Sequence, residues 1–320
     1  MDDAPPEELT VELPSTMVPG QSTVTSAYLE HFTDKDIALL QPGDPLAPQS
    51  GIRTALSHAH PDELAELLTS PRVLEDVFAV PKAGDPFLSA SPFLVFSVAV
   101  HHATAQLRST GYVSEWLGPG RRTPVFDVDE LREFVSAPWH RLFLAELLAS
   151  YTHVVSGSIV VSTPRGLRRQ RFSELDPVRF SGLLDVVSDI ERPGVLRRLG
   201  DLALFLTGVF PDYVARNGFG PIAEGRLLRA GGITRGHSDT LPRDLGAAAF
   251  GDRGAVELLE QLGRRWYRTA FELLPHPVTE NVAVLGELPR CFRQARRMLG
   301  LITEQFLFGR RDHWFGLPGS

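Results

Sequence analysis

The chain has 320 residues, of which 43% are apolar and 22% charged, a composition typical of globular proteins with a sizeable core. A single cysteine, Cys291, excludes an intramolecular disulfide, and no apolar stretch approaches the roughly 20 residues that a membrane-spanning helix needs. The N-terminus lacks the basic and apolar pattern of a secretory signal, so we expect a cytoplasmic soluble protein with no membrane partner.

The net charge of −7 is distributed unevenly along the chain. Residues 1–90 carry 15 acidic and four basic side chains, whereas residues 91–320 carry 24 acidic and 28 basic ones. Only two of the 32 basic residues are lysines, Lys35 and Lys82. This arginine bias is typical of a high-GC bacterial genome; the alternative is selection for guanidinium groups that bind phosphates or carboxylates.

The first 24 residues are rich in Pro, Glu, Ser and Thr and have few large apolar side chains, which predicts a disordered acidic tail. From Thr25 the apolar pattern is helical. Proline recurs where these helical patterns begin, at Pro61, Pro92 and Pro138 among others, and its missing N–H is tolerated in a first helical turn. The pattern predicts a mainly α fold.

Two histidines near the first of these prolines have metal-ligand spacing. His58 and His60 are followed by Asp62 and Glu63, but no third distant ligand is evident. The two carboxylates also suit the N-terminus of a helix. His58 and His60 are therefore weak candidates for metal ligands.

The helix predicted from Ser91 to Arg108 is apolar nearly all round, which is typical of a central helix in a bundle. At 100° per residue, His101 falls on its narrow polar stripe and His102 among valines. A buried His102 is a candidate metal or haem ligand or catalytic group, although a neutral core histidine is the simpler interpretation.

In the helix that begins at Pro138, Glu146 and His153 share a face opposite the apolar residues, so we expect both to face solvent. The Glu-x-x-His repeats of a di-iron carboxylate bundle are lacking.

One segment has a strand pattern. Residues 157–173 read GSIVVSTPRGLRRQRFS, a β-branched run followed by a turn and a second run, which predicts a β-hairpin. Arg165, Arg168, Arg169 and Arg171 would place four guanidinium groups on it, a candidate surface for phosphates or for a protein partner. The alternative is an exposed hairpin whose arginines are solvated or contact the acidic N-terminal part of the chain.

Asp201 lies in an otherwise apolar helical segment, one turn after Arg197. Gly200 and Gly208 lie beside it on the helical wheel, and small residues allow another element to approach closely. Asp201 is thus a candidate catalytic base with a perturbed pKa, or the partner of Arg197 in a structural ion pair.

Glycines between residues 217 and 254 predict a hinge or a long surface loop. Near the C-terminus, apolar residues three and four apart from Leu285 to Phe306 predict a regular helix that begins near Pro289. Arg290, Arg293 and Arg297 would then form an exposed arginine face.

Taken together, these patterns predict one mainly α, bundle-like domain over residues 25–316 with one inserted hairpin at 157–173. Phosphate-binding glycine loops and serine-hydrolase elbows are lacking, so we expect a non-catalytic binding or regulatory protein. Its arginine-rich hairpin and C-terminal helix face would contact a protein partner or a second copy of the chain.

Two alternatives stay open. One is an α-helical enzyme, or a protein that binds a metal, haem or small molecule, with a pocket near His101, His102 and Asp201. The other is a nucleic-acid-binding protein that uses the arginines from Arg165 to Arg171. The sequence does not identify a cofactor.

Overall fold

The computed structural model describes residues 23–41, 49–78, 85–152, 156–163, 166–233 and 254–317. Within these ranges helices dominate, and the β structure consists of two antiparallel two-stranded hairpins. The predicted mainly α fold with an inserted hairpin is confirmed. Residues 1–22 of the predicted acidic tail lie outside the described residues, and the domain boundaries of 25–316 stay a prediction.

Fifteen α-helices are found in the described part of the chain. In chain order they are α1 (Val24–His31), α2 (Asp34–Leu40), α3 (Gln49–His58), α4 (Pro61–Leu68), α5 (Pro71–Phe78), α6 (Pro92–Leu107), α7 (Asp129–Ser136), α8 (Pro138–Ser150), α9 (Pro177–Ser181), α10 (Arg192–Val209), α11 (Pro211–Asn217), α12 (Pro221–Ala230), α13 (Gly254–Glu272), α14 (Glu280–Ile302) and α15 (Arg311–Phe315). The strands are β1 (Val113–Gly118), β2 (Arg121–Val125), β3 (Ser156–Thr163) and β4 (Gly166–Ser173).

Proline starts many of these helices, as the sequence predicts. Pro61, Pro92 and Pro138 are the first residues of α4, α6 and α8. Ser91 caps α6 by accepting a hydrogen bond from the Leu94 N–H. These signals are local, since each acts within the first turn of its helix.

Glycines set the spacing of the central helices. A Cβ added at Gly200 of α10 would lie 2.8 Å from the ring of Tyr267 on α13, and one at Gly208 would lie 2.7 Å from Leu299 on α14. Gly263 of α13 is equally tight, since its added Cβ would lie 2.6 Å from Phe292. The expected close approach at Gly200 and Gly208 is therefore present, and it brings the Tyr267 ring and Leu299 directly against α10.

The long C-terminal helix, α14, starts earlier than the sequence predicts but carries the predicted apolar stripe. α14 begins at Glu280 and continues through Pro289, with non-helical backbone angles at Cys291. A proline in a helix removes one hydrogen bond and kinks the helix rather than ending it when tertiary contacts hold both halves. The stripe from Leu285 to Ile302 is buried as predicted.

Two further differences concern segments where local signals are weak. The hairpin formed by β1 and β2 was not predicted; Trp116 holds it to the body by donating its Nε1–H to Asp212 on α11 at 2.7 Å. Within residues 217–254, expected to be a loop, α12 forms and buries Leu227. Residues 234–253 lie outside the described residues.

Candidate functional site

A charged cleft lies between α8 and α10. Its volume is about 780 Å³, and α1, α6 and the start of α14 contribute to its lining. The apolar lining includes Phe93, Phe143 and Leu147, and the charged lining consists of Glu30, His31, Glu146, Arg197, Arg198 and Asp201. Ligand sites commonly combine an apolar lining with a few convergent polar groups, and this cleft has that character. We refer to it as the α8–α10 cleft.

Asp201 is the most buried charged residue of the cleft, with a side-chain exposure of 10%. Its Oδ1 accepts a hydrogen bond from the Tyr267 hydroxyl at 2.8 Å. Burial raises the pKa of Asp201, while the Arg197 charge and the Tyr267 hydrogen bond oppose that rise. The carboxylate is therefore held in place by a neutral donor and has only partial compensation for its charge.

The contact between Asp201 and Tyr267 depends on the residue before the carboxylate. Gly200 has no side chain, so the Tyr267 ring can lie against the backbone of α10 and its hydroxyl can reach the next residue. Tyr267 itself is fully buried. The small-residue stripe of α10 thus positions the hydrogen-bond donor for Asp201.

A histidine–glutamate pair joins α1 to α8 at the same cleft. The Nε2 of His31 lies 2.9 Å from Oε1 of Glu146. The hydrogen bond to Glu146 raises the pKa of His31, although partial burial opposes the shift. The expectation that Glu146 faces solvent is wrong, because α1 covers this face of α8 and supplies a partner for the carboxylate.

The two arginines of the cleft differ in the number of contacts that they make with the rest of the protein. Arg198 donates to the Ser150 hydroxyl at 2.7 Å, forms an ion pair with Glu174 at 3.4 Å and lies over the Tyr151 ring. Arg197 makes no hydrogen bond to any described residue, and its nearest carboxylate oxygen, Oδ2 of Asp201, is 3.9 Å from its Nε. The predicted Arg197–Asp201 ion pair is thus long, which leaves the Arg197 N–H groups available to a ligand.

The structure places the two histidines of α6 away from the lining of this cleft. His101 is buried and its Nε2 lies 3.0 Å from the Tyr28 hydroxyl of α1. Burial, together with the charges of Arg141 and His102, lowers the pKa of His101 to about 3, so the ring is neutral. The expected burial of the pair is reversed, since His102 is only half-buried.

The reversal has a tertiary cause. α6 is apolar nearly all round, so its sequence does not single out the most buried face. A histidine in a core needs a hydrogen-bond partner, and the Tyr28 hydroxyl on α1 is that partner for His101. Asp201 lines the α8–α10 cleft without either histidine.

The other candidate metal ligands, His58 and His60, are both exposed on the surface. His60 caps α4: its Nδ1 accepts from the Asp62 N–H, and Glu63 accepts from the His60 N–H. Within the described part of the chain, no group of three His, Cys, Asp or Glu residues is arranged to hold a metal ion.

The expected exposed arginine face of α14 is corrected at one of its three arginines, Arg297. Arg297 is buried, and its Nη2 donates to Glu115 of β1 at 2.7 Å. Arg293 donates to the same carboxylate at 3.0 Å but is exposed, as is Arg290. The unpredicted β1 lies across this face of α14 and brings a carboxylate to it.

Glu115 is a structural residue that no sequence pattern indicated. Arg296 also donates to it, at 2.8 Å. Burial would raise the pKa of Glu115, but hydrogen bonds from Arg297 and Arg293 and the charges of Arg297 and Arg296 hold it at about 2. The cluster joins the first hairpin to α14 and buries Arg297 against Glu115.

The second hairpin is the predicted one, and its two antiparallel strands place Val160 opposite Arg169, Val161 opposite Arg168 and Ser158 opposite Arg171. Arg165 and the side chains of these three arginines lie outside what the structure describes. Their binding role stays a prediction.

Comparison of the chain with protein-family models, curated proteins and solved structures finds no match. Among the helices that the structure describes, none combines the length and apolarity needed to cross a bilayer. The chemistry of the α8–α10 cleft is therefore the basis for a functional assignment.

Proposed function

We propose that this protein is a non-catalytic, cytoplasmic binding protein that holds a small polar ligand in the α8–α10 cleft. One observation carries the proposal: a guanidinium, that of Arg197, lies in a cleft of about 780 Å³ with no hydrogen bond to any described residue. A half-exposed arginine in such a cleft can bind an anionic or hydrogen-bond-accepting group with several donors at once.

Binding is favoured over catalysis by the engagement of the other ionisable groups. Glu146 is bonded to His31, Arg198 to Ser150, and Asp201 to Tyr267. Glu146 and His31 thus bond to each other, whereas Asp201 keeps an oxygen, Oδ2, without a hydrogen bond from any described residue. An enzyme with Asp201 as its base is the alternative, and turnover of a bound ligand would support it.

Blocking the cleft tests the proposal. A Cβ added at Gly194, which lines the cleft, meets no atom within 4 Å, so Gly194→Trp should fold and fill the site. Gly225→Trp is the matched control, because Gly225 is also a helical glycine with open space but lines a separate cavity on α12. Wild type and both variants are screened by thermal unfolding against amino acids, nucleotides, sugars and organic acids.

We expect at least one compound that stabilises wild type and the Gly225→Trp variant but not the Gly194→Trp variant. A ligand present at about 100 times its Kd adds about 2.7 kcal/mol of stability, which thermal unfolding readily detects. Absence of any such compound, or equal stabilisation of all three proteins, overturns the proposal.

Contact with a protein partner through the arginine-rich hairpin stays a separate proposal. Exchange of Arg168, Arg169 and Arg171 for glutamate should weaken capture of that partner in a pull-down and leave the unfolding transition unchanged. Unchanged capture would argue against it, and binding to nucleic acid that falls steeply with salt would favour the nucleic-acid alternative.

A further inference from the structure

On the premise that the α8–α10 cleft is the ligand site proposed above, we infer that its ligand is a free α-amino acid with an apolar side chain, bound as the zwitterion by Arg197 and Asp201. The inference names the chemical class of the ligand, which the proposed function leaves open. It is carried by the positions of two opposite charges and by the apolar residues beside them.

Arg197 provides the site for the carboxylate. Its side chain is 42% exposed, and among the described residues its only ion-pair partner is Asp201, with 3.9 Å between Nε and Oδ2. That distance exceeds a hydrogen bond, so the planar guanidinium keeps its donors for a second carboxylate. A paired, bidentate geometry is the one in which arginine binds carboxylates most strongly.

Asp201 provides the site for the ammonium group. Its Oδ1 accepts from Tyr267, while Oδ2 faces Arg197 beyond hydrogen-bond range. A carboxylate this deeply buried needs strong donors, and an ammonium group supplies both hydrogen bonds and a compensating charge.

The separation of these two groups restricts the ligand further. Because the Nε of Arg197 and Oδ2 of Asp201 are only 3.9 Å apart, a ligand that binds both must carry its two charged groups close together. In an α-amino acid the carboxylate and the ammonium group share one carbon. A peptide longer than one residue separates them along the chain and fits this pair less well.

The mixed charge of the cleft favours a zwitterion over a simple anion. Three carboxylates, those of Asp201, Glu30 and Glu146, line it together with Arg197, Arg198 and His31. A lone carboxylate would be attracted by Arg197 but repelled by the surrounding acids. A ligand with both charges avoids this cost, since it presents a positive group to the acidic side.

Apolar residues line the same cleft as the charged pair. Phe93, Phe143 and Leu147 line the same cleft and offer aromatic and aliphatic surface to a side chain. Burial of an apolar side chain here adds affinity without any further polar partner. Phenylalanine and leucine are therefore suitable probes.

The inference is tested with compounds that differ in one charge at a time. Isothermal titration calorimetry is performed with L-phenylalanine, with 2-phenylethylamine, which lacks the carboxylate, and with 3-phenylpropanoate, which lacks the ammonium group. We expect L-phenylalanine to bind about tenfold or more tightly than either analogue, because each analogue loses one charge-assisted contact.

Two variants assign each charge to its residue. In Arg197→Gln, L-phenylalanine should bind no better than 2-phenylethylamine, and in Asp201→Asn no better than 3-phenylpropanoate. Arg226→Gln is the matched control, since Arg226 lies on α12 at a separate cavity and its loss should leave all three affinities unchanged. The paired losses would not arise from a general structural defect.

The outcomes separate this inference from the proposed function. If a compound from the metabolite screen binds the cleft but L-phenylalanine and L-leucine do not, the zwitterion inference is overturned and the binding function stands. Equal affinities for the three phenyl compounds overturn it in the same way. If no compound binds in a manner blocked by Gly194→Trp, both fall together.

Discussion

The hydrogen bond from Tyr267 to Asp201 provides the sharpest test of the cleft electrostatics. Tyr267→Phe removes one hydroxyl from a fully buried ring and leaves the shape of the packing intact. The Asp201 carboxylate loses a donor at 2.8 Å in a site where burial already raises its pKa. A hydrogen bond to a charged group contributes about 1.5–3 kcal/mol, so at pH 7 we expect the free energy of unfolding to fall by about 2 kcal/mol.

The loss should depend on pH in a defined direction. The folded-state pKa of Asp201 is raised, so the unfolded chain ionises first and this residue lowers the stability as the pH rises above about 4. Tyr267 opposes the rise in that pKa, and removing its hydroxyl raises the pKa further. At pH 4, where the raised pKa brings folded Asp201 nearer to protonation than at pH 7, the variant should lose less stability, towards the roughly 1 kcal/mol of a neutral hydrogen bond.

The assay is equilibrium urea unfolding of wild type and variant at pH 4 and pH 7. Tyr28→Phe is the matched control, because Tyr28 is also buried but bonds to His101, whose pKa of about 3 keeps it neutral at both pH values. The control should lose the same amount at each pH. If Tyr267→Phe also loses the same amount at each pH, Asp201 is not an ionised buried carboxylate and the reasoning is refuted.

Three further predictions concern other contacts. Glu115→Gln should lower the free energy of unfolding by about 3 kcal/mol at pH 7, because Arg297 would stay buried without a carboxylate to pair with. Urea unfolding measures this loss, and a loss below about 1 kcal/mol would contradict the prediction. Glu146→Gln should lower the pKa of His31, which NMR titration measures, and an unchanged pKa would refute the pairing. Since the pKa of His31 is raised in the folded protein, the stabilisation by this pair is complete below about pH 6.5 and is lost as the pH rises through the folded-state pKa. Gly263→Ala should destabilise by about 1–3 kcal/mol, because the added methyl would overlap the Phe292 ring, and a neutral effect on thermal unfolding would contradict the packing.

Much of the fold follows from local sequence signals. Prolines at the starts of α4, α6 and α8, the capping serine Ser91 and the apolar stripe of α14 all act within one or two helical turns, so they are visible without the tertiary structure. The first hairpin lacks such a signal, because its position depends on Trp116 reaching Asp212 nearly a hundred residues away.

The candidate site was only partly predictable. Asp201 was indicated because a carboxylate among small and apolar residues on one helix face is a local pattern. Its donor Tyr267 lies 66 positions further along the chain, and His31 lies 115 positions from Glu146. No periodicity within one helix records which distant side chain will lie against it.

The sequence by itself determined the helical character, most helix starts and the face of α10 against which another helix packs closely. Only the tertiary structure decided which charges are free. It buried Arg297 against Glu115, moved Glu146 from the expected surface to a pair with His31, and left Arg197 without a hydrogen bond to any described residue. The physical reason is that burial and ion pairing are properties of the space between helices, which depends on contacts between residues far apart in the chain.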